Sequence, residues 1–196
     1  TMILGENWFR VPSSIKINYT GVLPEKVCGK DIILYTIKKL GVDGALYKSI
    51  EFSGEVIAGL SMSDRITICN MAIEAGAKFG VIPPDETTFT FVRENSSREY
   101  TPVYPDEDAV YEQVIEIDVT DLEPQVAVPY SPANSVPVSE VTGNNIDQVV
   151  VGSCTNGRIE DFRMVAEIMG DNPVHQDVRM ILIPATRDLI LQLLEE

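Results

Sequence analysis

The chain has 196 residues, 44% hydrophobic and 23% charged, which is enough for one good core or two small domains and is ordinary for a globular protein. A formal net charge of −15 argues against nucleic acid or an anionic membrane as a partner, so any anionic substrate must be held by local groups. No apolar run approaches the roughly 18 residues that span a bilayer, no signal peptide is expected, and three unevenly spaced cysteines (28, 69 and 154) suit a reducing cytoplasm better than a disulfide framework.

In chain order, residues 1–11 begin without Met, in apolar residues, and read as the tail of a preceding domain. Val11-Pro12 marks a boundary, after which Ser14 to Thr20 alternates polar and apolar as a strand with one covered face. Lys30 to Leu40 reads as a helix stopped by Gly41. Tyr47 to Ser53 alternates again, and Ser53 is expected to cap a short helix to Leu60. A further helix, capped by Ser63, is expected from Arg65 to Ala77. Phe79 to Ile82 is a short strand, and Pro83-Pro84-Asp85-Glu86 opens a helix running to about Arg93 or Glu94. A polar loop leads to a short helix from Asp106 and a strand at Val114 to Val119. Residues 120–145 contain four of the twelve prolines and little periodicity, the composition of a linker between domains.

Gln148 to Val151 is a β-branched run of buried-strand type, and from Arg158 the residues Ile159, Phe162, Val165, Ala166 and Met169 recur at helical spacing. Gly170 to Pro173 stops that helix, Asp177 to Pro184 is an apolar strand, and Thr186 caps a last helix. The spacing thus predicts an α/β fold, with residues 12–119 as one domain and 146–196 as the opening of a second parallel α/β layer.

Cys154 falls where a strand ends and a helix begins, the crest at which ligands bind in open α/β sheets. Backbone N–H groups and the helix dipole there favour a thiolate, the form that bonds iron or attacks an electrophile; a small buried structural cysteine is the other reading. Asn70 and Glu74, four residues apart on the helix expected from Arg65, share one face, either as an exposed polar surface or as part of a site. Cys28 and Cys69 read as structural. His175, the only histidine, sits in a polar loop and reads as a surface residue, although its return onto a nucleophilic Cys154 stays open. Neither a phosphate-binding glycine loop nor zinc-ligand spacing is present.

Gly152-Ser153-Cys154-Thr155-Asn156-Gly157-Arg158, with Asp161 three residues on, resembles the cluster-binding segment of the aconitase superfamily. The stretch Thr67-Ile68-Cys69-Asn70-Met71, continued by Glu74, Gly76 and Ala77, is similar to the helix of that family that reaches into its cleft. The likeness extends from about Trp8 to the end and is nearest to the large subunits of the 3-isopropylmalate dehydratase and homoaconitase branch. It implies aconitase-like three-layer α/β/α domains, one nearly complete and the start of a second. It implies that Cys154 is one of three thiolates holding a [4Fe–4S] cluster, and that Asn70 and Glu74 contact substrate or an iron-bound hydroxyl or water. The other two ligands would come from a Cys-x-x-Cys pair beyond Glu196, so this chain alone is expected to lack the cluster and to be inactive. The implied reaction is dehydration and rehydration of a small di- or tricarboxylic acid, with a separate small subunit as partner. A cluster-free binding or assembly module of the same fold is the alternative of another class.

Overall fold

A computed structural model describes residues 2–195. Strand β1, Ser14–Thr20, lies between β2, Ser49–Ser53, and the later β4, Gln113–Asp118; β3, Phe79–Val81, pairs outside β2. All pairings in this four-stranded sheet are parallel. The alternation read in β1 is realised directly: Ile15, Ile17 and Tyr19 are fully buried and face the same way as Ile50, Phe52 and Ile117. Helix α1, Gly29–Leu40, adds Ile32, Ile33 and Ile37 to this core, and α3, Met62–Met71, adds Ile68. The two helices meet closely enough that a Cβ on Gly29 would stand 2.7 Å from the Asp64 carbonyl oxygen. Within the core the Tyr19 hydroxyl bonds the Thr36 hydroxyl at 2.8 Å, and Thr36 donates to the Ile32 carbonyl. This satisfies the buried phenol, whose pKa burial pushes well up.

The opposite sheet face is polar and paired in register. Ser14 meets Ser49 at 2.7 Å, Lys16 meets Glu51 at 3.1 Å, and Asn18 donates to Glu116 at 2.6 Å. Glu51 is buried and also accepts from the Tyr111 hydroxyl at 2.8 Å.

Several boundaries differ from those expected. Helix α2, Glu55–Gly59, is entered through Gly54, not a Ser53 cap: Ser53 donates to the Ile17 carbonyl instead, and Gly54, at φ +106°, lies where a Cβ would meet the Tyr19 carbonyl oxygen at 2.2 Å. Ser61, not Ser63, caps α3, accepting from the Asp64 amide. The helix expected to reach Ala77 ends at Met71 and tightens into a 3-10 turn, Ala72–Ala75, closed by a left-handed Gly76. The helix α4, Glu86–Asn95, forms as expected on an Asp85 cap, whereas Asp106 makes only a turn. The stretch read as a linker carries a hairpin of β5, Gln125–Ala127, and β6, Ser135–Pro137, which packs on α1 and is tied to it by the Gln125 amide donating to Asp31 at 2.7 Å. Short strands with prolines at their ends hide such a hairpin from periodicity. The second unit is the parallel pair β7, Gln148–Gly152, and β8, Arg179–Ile183, with α5, Ile159–Met169, and α6, Arg187–Glu195. Among the described residues no helix is long and apolar enough to cross a membrane.

Arg65 of α3 is nearly fully buried and uses every N–H of its guanidinium. Nε and one Nη2 hydrogen go to the carbonyls of Leu60 and Ala58, and both terminal nitrogens grip Asp85 at 2.6 and 2.8 Å, with Thr88 taking the last donor. Arg65 holds the Asp85 carboxyl down at about 2. A depressed carboxylate stabilises the fold above its ordinary titration range and loses that contribution as pH falls towards its folded value. Asp85→Asn is therefore expected to lower the melting temperature at neutral pH and to flatten the loss of stability between about pH 4 and pH 2. Circular dichroism melts over that range check it; a variant as pH-sensitive as the parent would contradict the pairing.

Candidate functional site

The end of β7 is turned by backbone strain that the sequence only partly relieves. Gly152 lies at φ +112° with Ile183 O only 2.1 Å from where a Cβ would be, and Ser153 follows at φ +77°. The Ser153 amide donates to the Ile183 carbonyl at 2.7 Å, so β8 holds the turn from one side. Cys154 stands in this turn with its side chain exposed, and Arg158 caps α5, its amide bonded to Asp161 at 2.9 Å. The strand–turn–helix placement expected for Cys154 is thus present.

Helix α3 holds the turn from the other side. Asn70 donates to the Thr155 hydroxyl at 2.7 Å, and Thr67 donates to the Thr155 carbonyl at 3.2 Å. Asn156 reaches Asp161 at 3.0 Å and Thr67 at 3.5 Å, while Arg158 Nη1 donates to the Thr155 carbonyl at 2.7 Å. Asn156 Oδ1 is buried without a hydrogen-bond partner among the described residues. Cys154, Asn70 and Cys69 line one cleft of about 580 Å³, walled by Met62, Ile66 and Ile82. Glu74 is placed elsewhere. It is exposed and lines a separate hollow of about 510 Å³ with Lys30, Met71 and Gln125. The shared face expected for Asn70 and Glu74 required a continuous α-helix; the 3-10 turn winds about 20° more per residue and carries Glu74 round.

The other two thiols, Cys28 and Cys69, are partly buried. Cys28 caps α1 beside Asp31, and burial first, then that carboxylate, push its pKa up to about 12. Burial lifts Cys69 to about 11. His175 is exposed near Asp177, beyond the far end of α5 from Cys154, and the eleven residues of that helix put about 16 Å of backbone between them. No group of three or more His, Cys, Asp or Glu side chains suited to a metal ion occurs among the described residues. Cys154 offers an exposed thiol at the end of a strand, a setting in which a thiolate can ligate a metal. Sequence reasoning took Ser63 for a helix cap and Thr67 only as the start of a motif, although their spacing with Asn70 (four residues, then three) marks a stripe of one helical face.

The chain matches the family model described as Aconitase family (aconitate hydratase) over residues 1–146 and 139–196. It is 56% identical over 195 residues to the 3-isopropylmalate dehydratase large subunit of Halothermothrix orenii, covering 100% of this chain and 46% of that protein. Its identity to the 3-isopropylmalate dehydratase large subunit of Desulfitobacterium hafniense is 55% over 196 residues, 100% of this chain and 47% of that one. With the 3-isopropylmalate dehydratase large subunit 1 of Pyrococcus furiosus it is 52% over 197 residues, 100% and 46% respectively. The chain spans just under half the length of these curated relatives.

The burial difference among the thiols sets an order of reactivity. Iodoacetamide at neutral pH is expected to label Cys154 well before Cys69 and Cys28. Peptide mass spectrometry against time reads this; labelling of Cys69 or Cys28 ahead of Cys154 would refute the exposures described.

Proposed function

The chain belongs to the aconitase family, and we propose that it is the central part of the large subunit of an iron–sulfur hydro-lyase of the 3-isopropylmalate dehydratase kind. Such an enzyme shifts a hydroxyl to the neighbouring carbon of a small dicarboxylic acid by dehydration and rehydration. The names of the relatives support that substrate over the homologous tricarboxylic acids of homoaconitase, and the words "large subunit" in those names support a small subunit as partner. Three free cysteines support a reducing, cytoplasmic setting, and the net charge of −15 supports neither nucleic acid nor an anionic membrane as a further partner.

The observation that carries the reading is the exposed Cys154 thiol at the end of β7, opening on the same cleft as Asn70. In this reading Cys154 provides one of three thiolates for a [4Fe–4S] cluster, and residues outside this chain provide the others. When bound, the cluster supplies an open, Lewis-acidic iron to the leaving hydroxyl. The protein's own part is positioning. Asn70 presents its amide to the cleft, where it can hold the substrate's oxygen atoms, and Met62, Ile66 and Ile82 supply apolar wall beside it. Glu74 is assigned to substrate contact by its motif alone, since the hollow it lines is the neighbouring one.

The full-length large subunit, reconstituted anaerobically with iron and sulfide, is expected to turn brown, and its Cys154→Ser variant to stay pale. The 196-residue chain treated in the same way is expected to remain colourless and without hydratase activity, even with small subunit added, because a single thiolate does not retain such a cluster. Absorbance spectra and turnover of 3-isopropylmalate and its homologues are the measurements. A full-length Cys154→Ser protein with an intact cluster would overturn the assignment, and a colourless, inactive full-length parent would favour a cluster-free module.

A further inference from the structure

We propose that Ser63 and Thr67 of α3 form a clamp that positions the Cys154 turn, so that the thiol is set in place by a helix of the other unit as well as by its own strand. Ser63 donates to Glu160, in the first turn of α5, at 3.0 Å. Thr67 donates to the carbonyl of Thr155, the residue next to Cys154, at 3.2 Å and accepts from Asn156 at 3.5 Å. Both partners of the hydroxyl therefore belong to the Cys154 turn. A threonine inside a helix ordinarily turns its hydroxyl back to the carbonyl four residues earlier, as Thr36 does in α1. Thr67 instead reaches across to the turn, and does so from a site only 1% exposed, where an unmade hydrogen bond is costly. The turn it holds contains Ser153 at φ +77°, a backbone state that a free loop does not keep without support. Ser63 and Thr67 act through Thr155, Asn156 and Glu160, and thus as positioning residues.

The inference rests on the reading of Cys154 as a cluster ligand, and the experiment separates the two. The full-length large subunit with its small subunit is reconstituted as parent, Thr67→Val, Thr67→Ser, Ser63→Ala and Cys154→Ser. The decay of cluster absorbance in an iron chelator is followed alongside each melting curve. Thr67→Val keeps the shape but cannot donate, and is expected to lose its cluster about fivefold faster than the parent, the effect of one net hydrogen bond. Thr67→Ser restores the hydroxyl and is expected to decay at the parent rate. Ser63→Ala, at the more open end of the clamp, is expected to decay about twofold faster with its melting temperature unchanged. Equal decay of Thr67→Val and parent, or equal acceleration in Thr67→Val and Thr67→Ser, overturns the clamp. Should Thr67→Val not fold, Ser63→Ala decides: parent-like decay overturns the clamp and faster decay upholds it. An intact cluster in Cys154→Ser instead overturns the functional reading.

Discussion

The buried guanidinium of Arg65 is the contact on which the arrangement depends. Five N–H groups cannot be left unpaired inside a protein, and here they find acceptors on the last turns of α2 and on the cap of α4. That requirement fixes how far α3 can slide or rotate. Residue 65 is two positions from both Ser63 and Thr67, which places it on the opposite side of the helix from them. One side of α3 is thus anchored in the first unit while the other meets the turn of the second, and the cleft opens along the flank between them.

The Cys154 turn is constrained in a complementary way. Gly152 and Gly157 both lie where a side chain would collide with backbone, at 2.1 Å from Ile183 O and 2.4 Å from Ser153 O. Close packing of the chain on itself at these two points leaves Cys154 and Thr155 to project between them. The thiol is exposed, and the neighbouring threonine hydroxyl meets α3 by accepting from Asn70.

Much of this was legible in the residues. Period-two alternation in β1 named Ile15, Ile17 and Tyr19 as one face, because one-sided burial writes itself into spacing; the β-branched run before Gly152 marked β7 as a strand, but none of its residues is buried as that composition suggested, and Val150 is half exposed. What failed depended on contacts with distant residues. The apolar pattern does not show that α3 gives way to a 3-10 turn after Met71, since Ile73 and Ala75 continue it; that turn is closed by Gly76, whose position fits tightly against Leu46 and Val42. The hairpin at 125–137 is likewise held against α1 by Asp31, far away in sequence, which accepts the Gln125 amide. The site was half visible for the same reason. Cys154 and Asn70 carried motifs, whereas Thr67, in the same stretch as Asn70, had no partner in view until the turn was placed beside it.

The polar face of the four-stranded sheet bears on how its strands are aligned. Side chains along a strand alternate, so a shift of β2 against β1 by a single residue would swing Glu51 into the space of Phe52 and bring Lys16 opposite an apolar neighbour. A carboxylate enclosed among Ile17, Ile33 and Ile68 would lack a partner, at a cost of several kcal/mol. The rungs Ser14–Ser49, Lys16–Glu51 and Asn18–Glu116 can all close together only when three strands are aligned as they are here. The exposed Asn18–Glu116 rung adds little to the final stability, whereas the buried Glu51 needs its partners. What the rungs specify is the register, since Glu51 keeps both Lys16 and Tyr111 as partners only in this alignment.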